Sequence, residues 1–126
     1  MKLSIVVSGL PSSLNEWTRR HWKVRNRERM AWSEKMALTL LAAGLRSGKP
    51  MFSGPVRVSL TYHVKGRKKD TDNLVPKHLI DGMIGYVYPD DGPDFIPELH
   101  QRMVLGAKRD ETHILVEPLT EPVGDM

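Results

Sequence analysis

Two aspartates separated by one residue, Asp70 and Asp72, sit directly after a basic run, Lys65, Arg67, Lys68 and Lys69. Asn73 follows them, then Lys77 and Asp81, and the stretch ends on the pair Asp90 and Asp91. Carboxylate oxygens hold hard divalent cations such as magnesium or manganese, and clustered Lys and Arg side chains hold phosphates. Both within one segment point to a metal ion meeting a phosphodiester. Hydrolysis there needs charge stabilisation on the phosphoryl oxygens and an activated water, and a bound cation serves both needs. Lys77 is suited to neutralising charge or positioning the phosphate. Asp90 or Asp91 would complete the carboxylate set. Each piece alone reads as ordinary turn, cap or helix-surface chemistry. It is their order along the chain that carries the signal.

A second basic segment lies upstream. From Arg19 to Arg29, seven of eleven residues are basic when His21 is counted, and Trp17 and Trp22 accompany them. Guanidinium groups pair with phosphates and flat rings stack on bases. Arg19, Arg20, Lys23, Arg25 and Arg27 are therefore candidate DNA contacts, together with Lys65, Arg67, Lys68, Lys69 and Asn73. The competing reading is a solvated basic loop with its tryptophans packed beneath it.

The elements that must hold these residues read in order. Leu3, Ile5 and Val7 alternate with Lys2, Ser4 and Ser8 over residues 2–8, Val6 being the exception, and predict a first strand, ended by Gly9 and Pro11. Met30, Ala37, Leu38, Leu41 and Leu45 recur at helical spacing and predict a long helix over 27–46, closed by Gly44 and the Ser47–Pro50 run. Its methionines read as core filler. Val56, Val58, Leu60, Tyr62 and Val64 alternate with Arg57, Ser59, Thr61, His63 and Lys65, the pattern of a half-buried strand with His63 on its polar side. Pro76 suits the first turn of a short helix over 76–84, with Leu79, Ile80 and Met83 on its apolar side and Lys77 and Asp81 paired four apart. Tyr86–Tyr88 reads as a short extended piece. A strand within 95–107, a hairpin turn at 108–111 and a returning strand at 113–117 complete the pattern. The expected fold is α/β, a single domain over residues 1–118. Its mixed sheet of about four strands packs with one long and one short helix, and residues 119–126 form a disordered tail.

Composition narrows the function. The 126 residues carry a net charge of +4, which suits an anionic partner such as nucleic acid. The chain has no cysteine, which excludes disulfides, zinc thiolate sites and thiol catalysis from it. No apolar run approaches the ~18 residues of a membrane span, and the N-terminal apolar stretch is too short and interrupted for a signal peptide. A cytoplasmic protein with no membrane association is expected.

The motif Asp70-Thr71-Asp72-Asn73, followed by Lys77, Asp81 and Asp90-Asp91, resembles that of the RusA family of Holliday-junction resolvases, common in prophages. Pro11-Ser12-Ser13-Leu14-Asn15 also looks like the family's opening before its basic segment. In layout the resemblance covers most of the chain from Leu3 to Val116, and it is sharply diagnostic only from Asp70 to Asp91. It implies a magnesium-dependent homodimeric endonuclease that cuts four-way DNA junctions by symmetric nicks, with manganese as a possible substitute. The family's metal-binding aspartates fall on Asp70, Asp72 and Asp91, with Asp90 beside them, and its catalytic lysine falls on Lys77. One residue more than the family pattern separates Asn73 from Lys77. Pro76 predicts that the extra residue is absorbed before the helix begins. The alternative is a DNA-binding module of the same fold without nuclease activity.

Overall fold

The structure is a computed structural model that describes residues 1–66 and 74–119. Seven elements follow one another: β1 (Leu3–Ser8), α1 (Leu14–Arg19), α2 (Trp22–Ala42), β2 (Val56–Lys65), α3 (Lys77–Gly82), β3 (Glu98–Ala107) and β4 (Glu111–Pro118). The strands form one mixed sheet in the order β1-β4-β2-β3. β4 runs antiparallel to both β1 and β2, and β3 runs parallel to β2. The fold is α/β, a four-stranded mixed sheet with one long helix, as the alternation of elements predicts.

Strict period-two alternation puts every second residue on the helix-covered face. Leu3, Ile5 and Val7 of β1, Val56 to Val64 of β2 at alternate positions, and Ile114 and Val116 of β4 are all buried there. Trp32, Met36 and Leu40 from α2, Leu79 from α3, and Met83, Val87 and Tyr88 beyond it complete the same core. The other face presents Arg57, Ser59, Thr61 and His63, which are only half-buried.

The long helix differs from the sequence expectation in extent and in face. It begins at Trp22 and ends at Ala42, with Gly44 beyond it at φ +91°. Its buried side is Trp32, Met36 and Leu40, spaced by four. Met30, Leu38 and Leu41 are instead 58%, 62% and 51% exposed. The helix carries two apolar stripes, and periodicity cannot choose between them. Packing against the sheet and α3 decides. At Gly82 an added Cβ would lie 2.8 Å from Met36 Cβ and Cγ, so a missing side chain lets the two helices touch at Met36. Met36 is the core filler expected of a methionine; Met30 is not.

A short helix absent from the sequence reading, α1, precedes α2. Ser13 caps it through a reciprocal capping box. Its hydroxyl accepts the Glu16 N–H at 3.2 Å and the Glu16 carboxylate accepts the Ser13 N–H at 3.2 Å. The basic segment is thus an elbow between two helices, broken at Arg20 and His21.

The expected hairpin at 108–111 is not one. β3 and β4 are consecutive in sequence but lie on opposite sides of β2. Crossing one intervening strand requires about 10 Å, which four residue steps can span. The link is pinned to the end of β2: Gly106 N–H donates to the Gly66 carbonyl at 3.0 Å and Lys65 N–H to Asp110 Oδ1 at 2.8 Å. The local signal for a turn is the same in both arrangements. The expected short extended piece at Tyr86–Tyr88 is instead a tight turn: the Tyr86 and Val87 N–H groups both donate to the Met83 carbonyl, at 3.2 and 2.9 Å, and Tyr88 bridges back to Ile84. Met51 and Phe52 donate their N–H groups to the Tyr86 and Val87 carbonyls. Of the expected tail, Leu119 is described and donates its N–H to the Pro55 carbonyl, and residues 120–126 lie outside the described residues. No helix among the described residues is long and apolar enough to cross a membrane.

Candidate nucleic-acid and metal site

The centre of the motif, Asp70, Asp72 and Asn73, lies outside the described residues, as do Arg67, Lys68 and Lys69. The structure does describe both flanks. On the upstream side, Lys65 is exposed at the end of β2, its backbone held by Asp110. On the downstream side, Leu74 bridges to Ser13, and Val75 N–H donates to the Ser12 carbonyl at 2.9 Å. The chain leaving the D-x-D-N motif is therefore tied by backbone bonds to the start of the basic elbow.

α3 begins at Lys77, with Pro76 in the capping position, so Leu74, Val75 and Pro76 all lie ahead of the helix. Lys77 Nζ meets Asp81 Oδ2 at 3.2 Å, one turn on. The lysine stays largely in solvent, with its side chain 63% exposed. Such a pair adds little stability, but it fixes where the ammonium sits.

The Asp90–Asp91 turn returns towards the same helix. Tyr88, fully buried just before it, donates its hydroxyl to the Ile80 carbonyl at 2.7 Å. Burial first, and then the charges of Asp91 and Asp81, push the Tyr88 phenol far above its ordinary range. The Tyr88–Ile80 bond holds the chain just ahead of the Asp90–Asp91 turn against α3, the helix that carries Lys77 and Asp81. Asp90 and Asp91 are exposed, and Asp90 Oδ1 accepts the Asp91 N–H at 2.8 Å. Among the described residues no group of three or more carboxylates or imidazoles is gathered around a metal position. The proposed donors, Asp70, Asp72, Asp90 and Asp91, are all oxygen ligands, the kind magnesium and manganese take.

The basic elbow divides into two functional kinds of residue. Arg20 is engaged internally: its guanidinium donates to Glu28 Oε2 at 2.6 Å and Ser12 Oγ at 2.9 Å, and meets Glu16 Oε2 at 3.2 Å. Ser12 Oγ also donates to Glu28. This clasp joins the start of α1 to the first turns of α2. Arg19, Lys23 and Arg27 are exposed. Lys23 lies 5.8 Å over the Trp22 ring, which is itself 60% exposed, and Arg25 lies 5.6 Å over Trp17. Trp22 can therefore offer an open ring to a base. Trp17 is half-buried and meets the His78 ring edge-on at 4.7 Å. A cavity of about 640 Å³ opens between these parts, lined by Ser12, Asn15, Arg19, Val64, Leu74 and Asp110 among others.

Sequence reasoning missed three residues here. Glu28, which holds Arg20, is hidden inside a run read only for its positive charge. Tyr88 reads as strand filler. His78 follows Lys77 on α3 and is 5% exposed, with neither ring nitrogen hydrogen-bonded among the described residues. Burial lowers its pKa from the ordinary imidazole range, and the nearby charges of Glu28, Asp81, Lys77 and Arg29 modulate that shift. His63, expected on the polar face of β2, stacks on His113 with ring centroids 3.9 Å apart, away from the helix side. A scan against protein-family models gives no match for the chain, and a search of curated proteins gives none either.

Proposed function

We propose that the chain is a structure-selective, magnesium-dependent endonuclease that resolves four-way DNA junctions as a homodimer. What supports this reading most is one observation. The segment leaving the D-x-D-N motif is bonded to the head of the basic elbow at Ser12 and Ser13. A phosphate-binding surface and a carboxylate motif are thereby joined through the backbone. The Tyr88 hydroxyl bond to the Ile80 carbonyl, which ties the chain ahead of the Asp90–Asp91 turn to the Lys77–Asp81 helix, adds a second support.

In this reading Arg19, Lys23, Arg25 and Arg27 bind the DNA backbone, with Lys65, Arg67, Lys68, Lys69 and Asn73 on the approach to the cut. Arg20 positions rather than grips, because Glu28 and Glu16 already take its donors. Asp70, Asp72 and Asp91, with Asp90 beside them, would hold the cation. When bound, magnesium or manganese supplies charge neutralisation on the phosphate and a water of lowered pKa. Lys77, steered by Asp81, places a cation beside the scissile phosphate and offsets the charge that develops there. A four-way junction presents two strands for symmetric cutting, and a two-fold dimer presents two equivalent sites.

The test is nicking of a synthetic four-way junction in magnesium, beside a linear duplex of the same sequence. Paired symmetric nicks at the junction, lost in Asp72→Asn, are expected. Tight junction binding with no cleavage in either magnesium or manganese overturns the reading and leaves a binding module.

A further inference from the structure

A second, smaller cavity lies between α2 and α3, away from the cavity at the motif's flanks. It measures about 160 Å³ and is lined by Arg29, Ser33, His78, Asp81 and Gly82. We propose that it is a subsite for one phosphate group of the DNA backbone, with Arg29, Ser33 and His78 as donors. This rests on the nucleic-acid reading above but not on cleavage.

Local structure builds the donor set. Arg29 and Ser33 are four apart on α2 and so share one side of the helix, the side that faces α3. His78 enters from α3, one residue after Lys77. Its ring is buried, and both of its nitrogens lack a hydrogen-bond partner among the described residues. A buried imidazole left in that state is destabilising, and a ligand or ordered water that meets its nitrogens relieves the strain. Neutral imidazole offers one N–H donor and one acceptor. Arg29 adds a guanidinium that donates to Asn26 Oδ1 at 2.7 Å and keeps further N–H groups to give, and Ser33 adds a hydroxyl.

The lining selects among ligands. It contains no apolar side chain, so an apolar group has nothing to pack on. A divalent cation would meet the Arg29 guanidinium, and the Asp81 carboxylate is already shared with Lys77 at 3.2 Å. A tetrahedral anion can accept from the Arg29 guanidinium and the Ser33 hydroxyl and leaves the Lys77–Asp81 pair intact; the His78 ring nitrogens are closed to water, so the ring must turn toward the cavity to join them. The space equals about five waters at ~30 Å³ each, enough for a phosphate group with a few waters.

The experiment follows the ring nitrogens of His78 by ¹H–¹⁵N NMR, assigned with His78→Gln, as a ten-residue oligothymidylate is added in EDTA. The expected result is a saturable shift of the His78 resonances, with affinity weakened about tenfold in Arg29→Ala and less in Ser33→Ala. Arg46→Ala removes the same charge outside the cavity and is expected to leave the His78 response in place. A His78 resonance unmoved at saturating oligonucleotide, or moved equally in wild type and Arg29→Ala, overturns the subsite and leaves a hydrated cavity. Saturation by inorganic phosphate but not by the oligonucleotide overturns the backbone assignment. Divalent cation is absent throughout, so failure of the nuclease reading cannot produce or mask any of these outcomes.

Discussion

Replacing Gly82 by alanine tests the contact that seats α3, and with it Lys77. The new Cβ would sit 2.8 Å from both Met36 Cβ and Met36 Cγ. Ordinary carbon contacts lie near 3.5–4.0 Å, so the overlap is about 1 Å. Met36 is wholly buried and its Cβ is fixed to the α2 backbone, so rotation of the side chain relieves only the Cγ contact. The helices must separate. Overpacking of this kind costs about 1–3 kcal/mol, while alanine gains up to ~1 kcal/mol over glycine in helix propensity. The net expectation is a loss of about 1–2 kcal/mol, read as a lower urea midpoint with an unchanged slope. The double variant sharpens the test. Met36→Ala removes Cγ and keeps Cβ, so adding Gly82→Ala to it should still destabilise. A Gly82→Ala protein as stable as wild type, or a Met36→Ala background in which the second change is harmless, would refute the packing argument. Junction cleavage should fall along with stability, because Lys77 rides on the displaced helix.

Glu28→Ala should destabilise by about 1–3 kcal/mol in urea unfolding, because it strips Arg20 and Ser12 of a half-buried acceptor. Trp22 and Trp32 lie ten residues apart on one helix and should behave oppositely: Trp22→Ala within about 0.5 kcal/mol of wild type and Trp32→Ala down by about 3–5 kcal/mol. Stability should also depend on His78. Burial lowers its folded pKa, so below the ordinary imidazole value of about 6.5 the unfolded chain binds more protons than the folded one. Stability is therefore full above that value and falls as pH drops through it towards the lowered folded value. His78→Gln should flatten this slope in urea midpoints taken between pH 5 and 8.

The strands and the sheet face were legible because alternation is a local signal. Leu3, Ile5 and Val7, and the five apolar positions of β2, point where their spacing says they must. The order β1-β4-β2-β3 was not legible, because the turn residues at 108–110 suit a hairpin and a strand crossing equally well. The buried stripe of α2 escaped for a related reason: Met30, Leu38 and Leu41 form as regular a stripe as Trp32, Met36 and Leu40. What discriminates between them is packing with parts of the chain far away in sequence, such as the close approach of Gly82 to Met36. At the candidate site, the Lys77–Asp81 pair follows from four-residue spacing alone. The diversion of Arg20 into the Glu28 and Ser12 clasp does not, since charge counting treats every arginine in the segment alike. His78 could have been noticed as an ionisable residue beside Leu79 on the apolar side of a short helix, but nothing local says that its ring nitrogens are left without partners.

The position of β2 between two strands that are neighbours in sequence also constrains how the chain can fold. β3 and β4 have the short connection and apolar alternation to zip into a local hairpin within microseconds. Such a hairpin excludes β2 and would have to open again before the central strand could enter. The native order instead rests on pairings between distant parts of the chain, β1 with β4 and β2 with both β3 and β4. These carry a large loop-closure cost. The bonds from Gly106 to Gly66 and from Lys65 to Asp110 form only once β2 is in place, so they act as a latch on the completed sheet. The D-x-D-N segment leaves from that latch, and its upstream anchor is therefore set only when the sheet is complete.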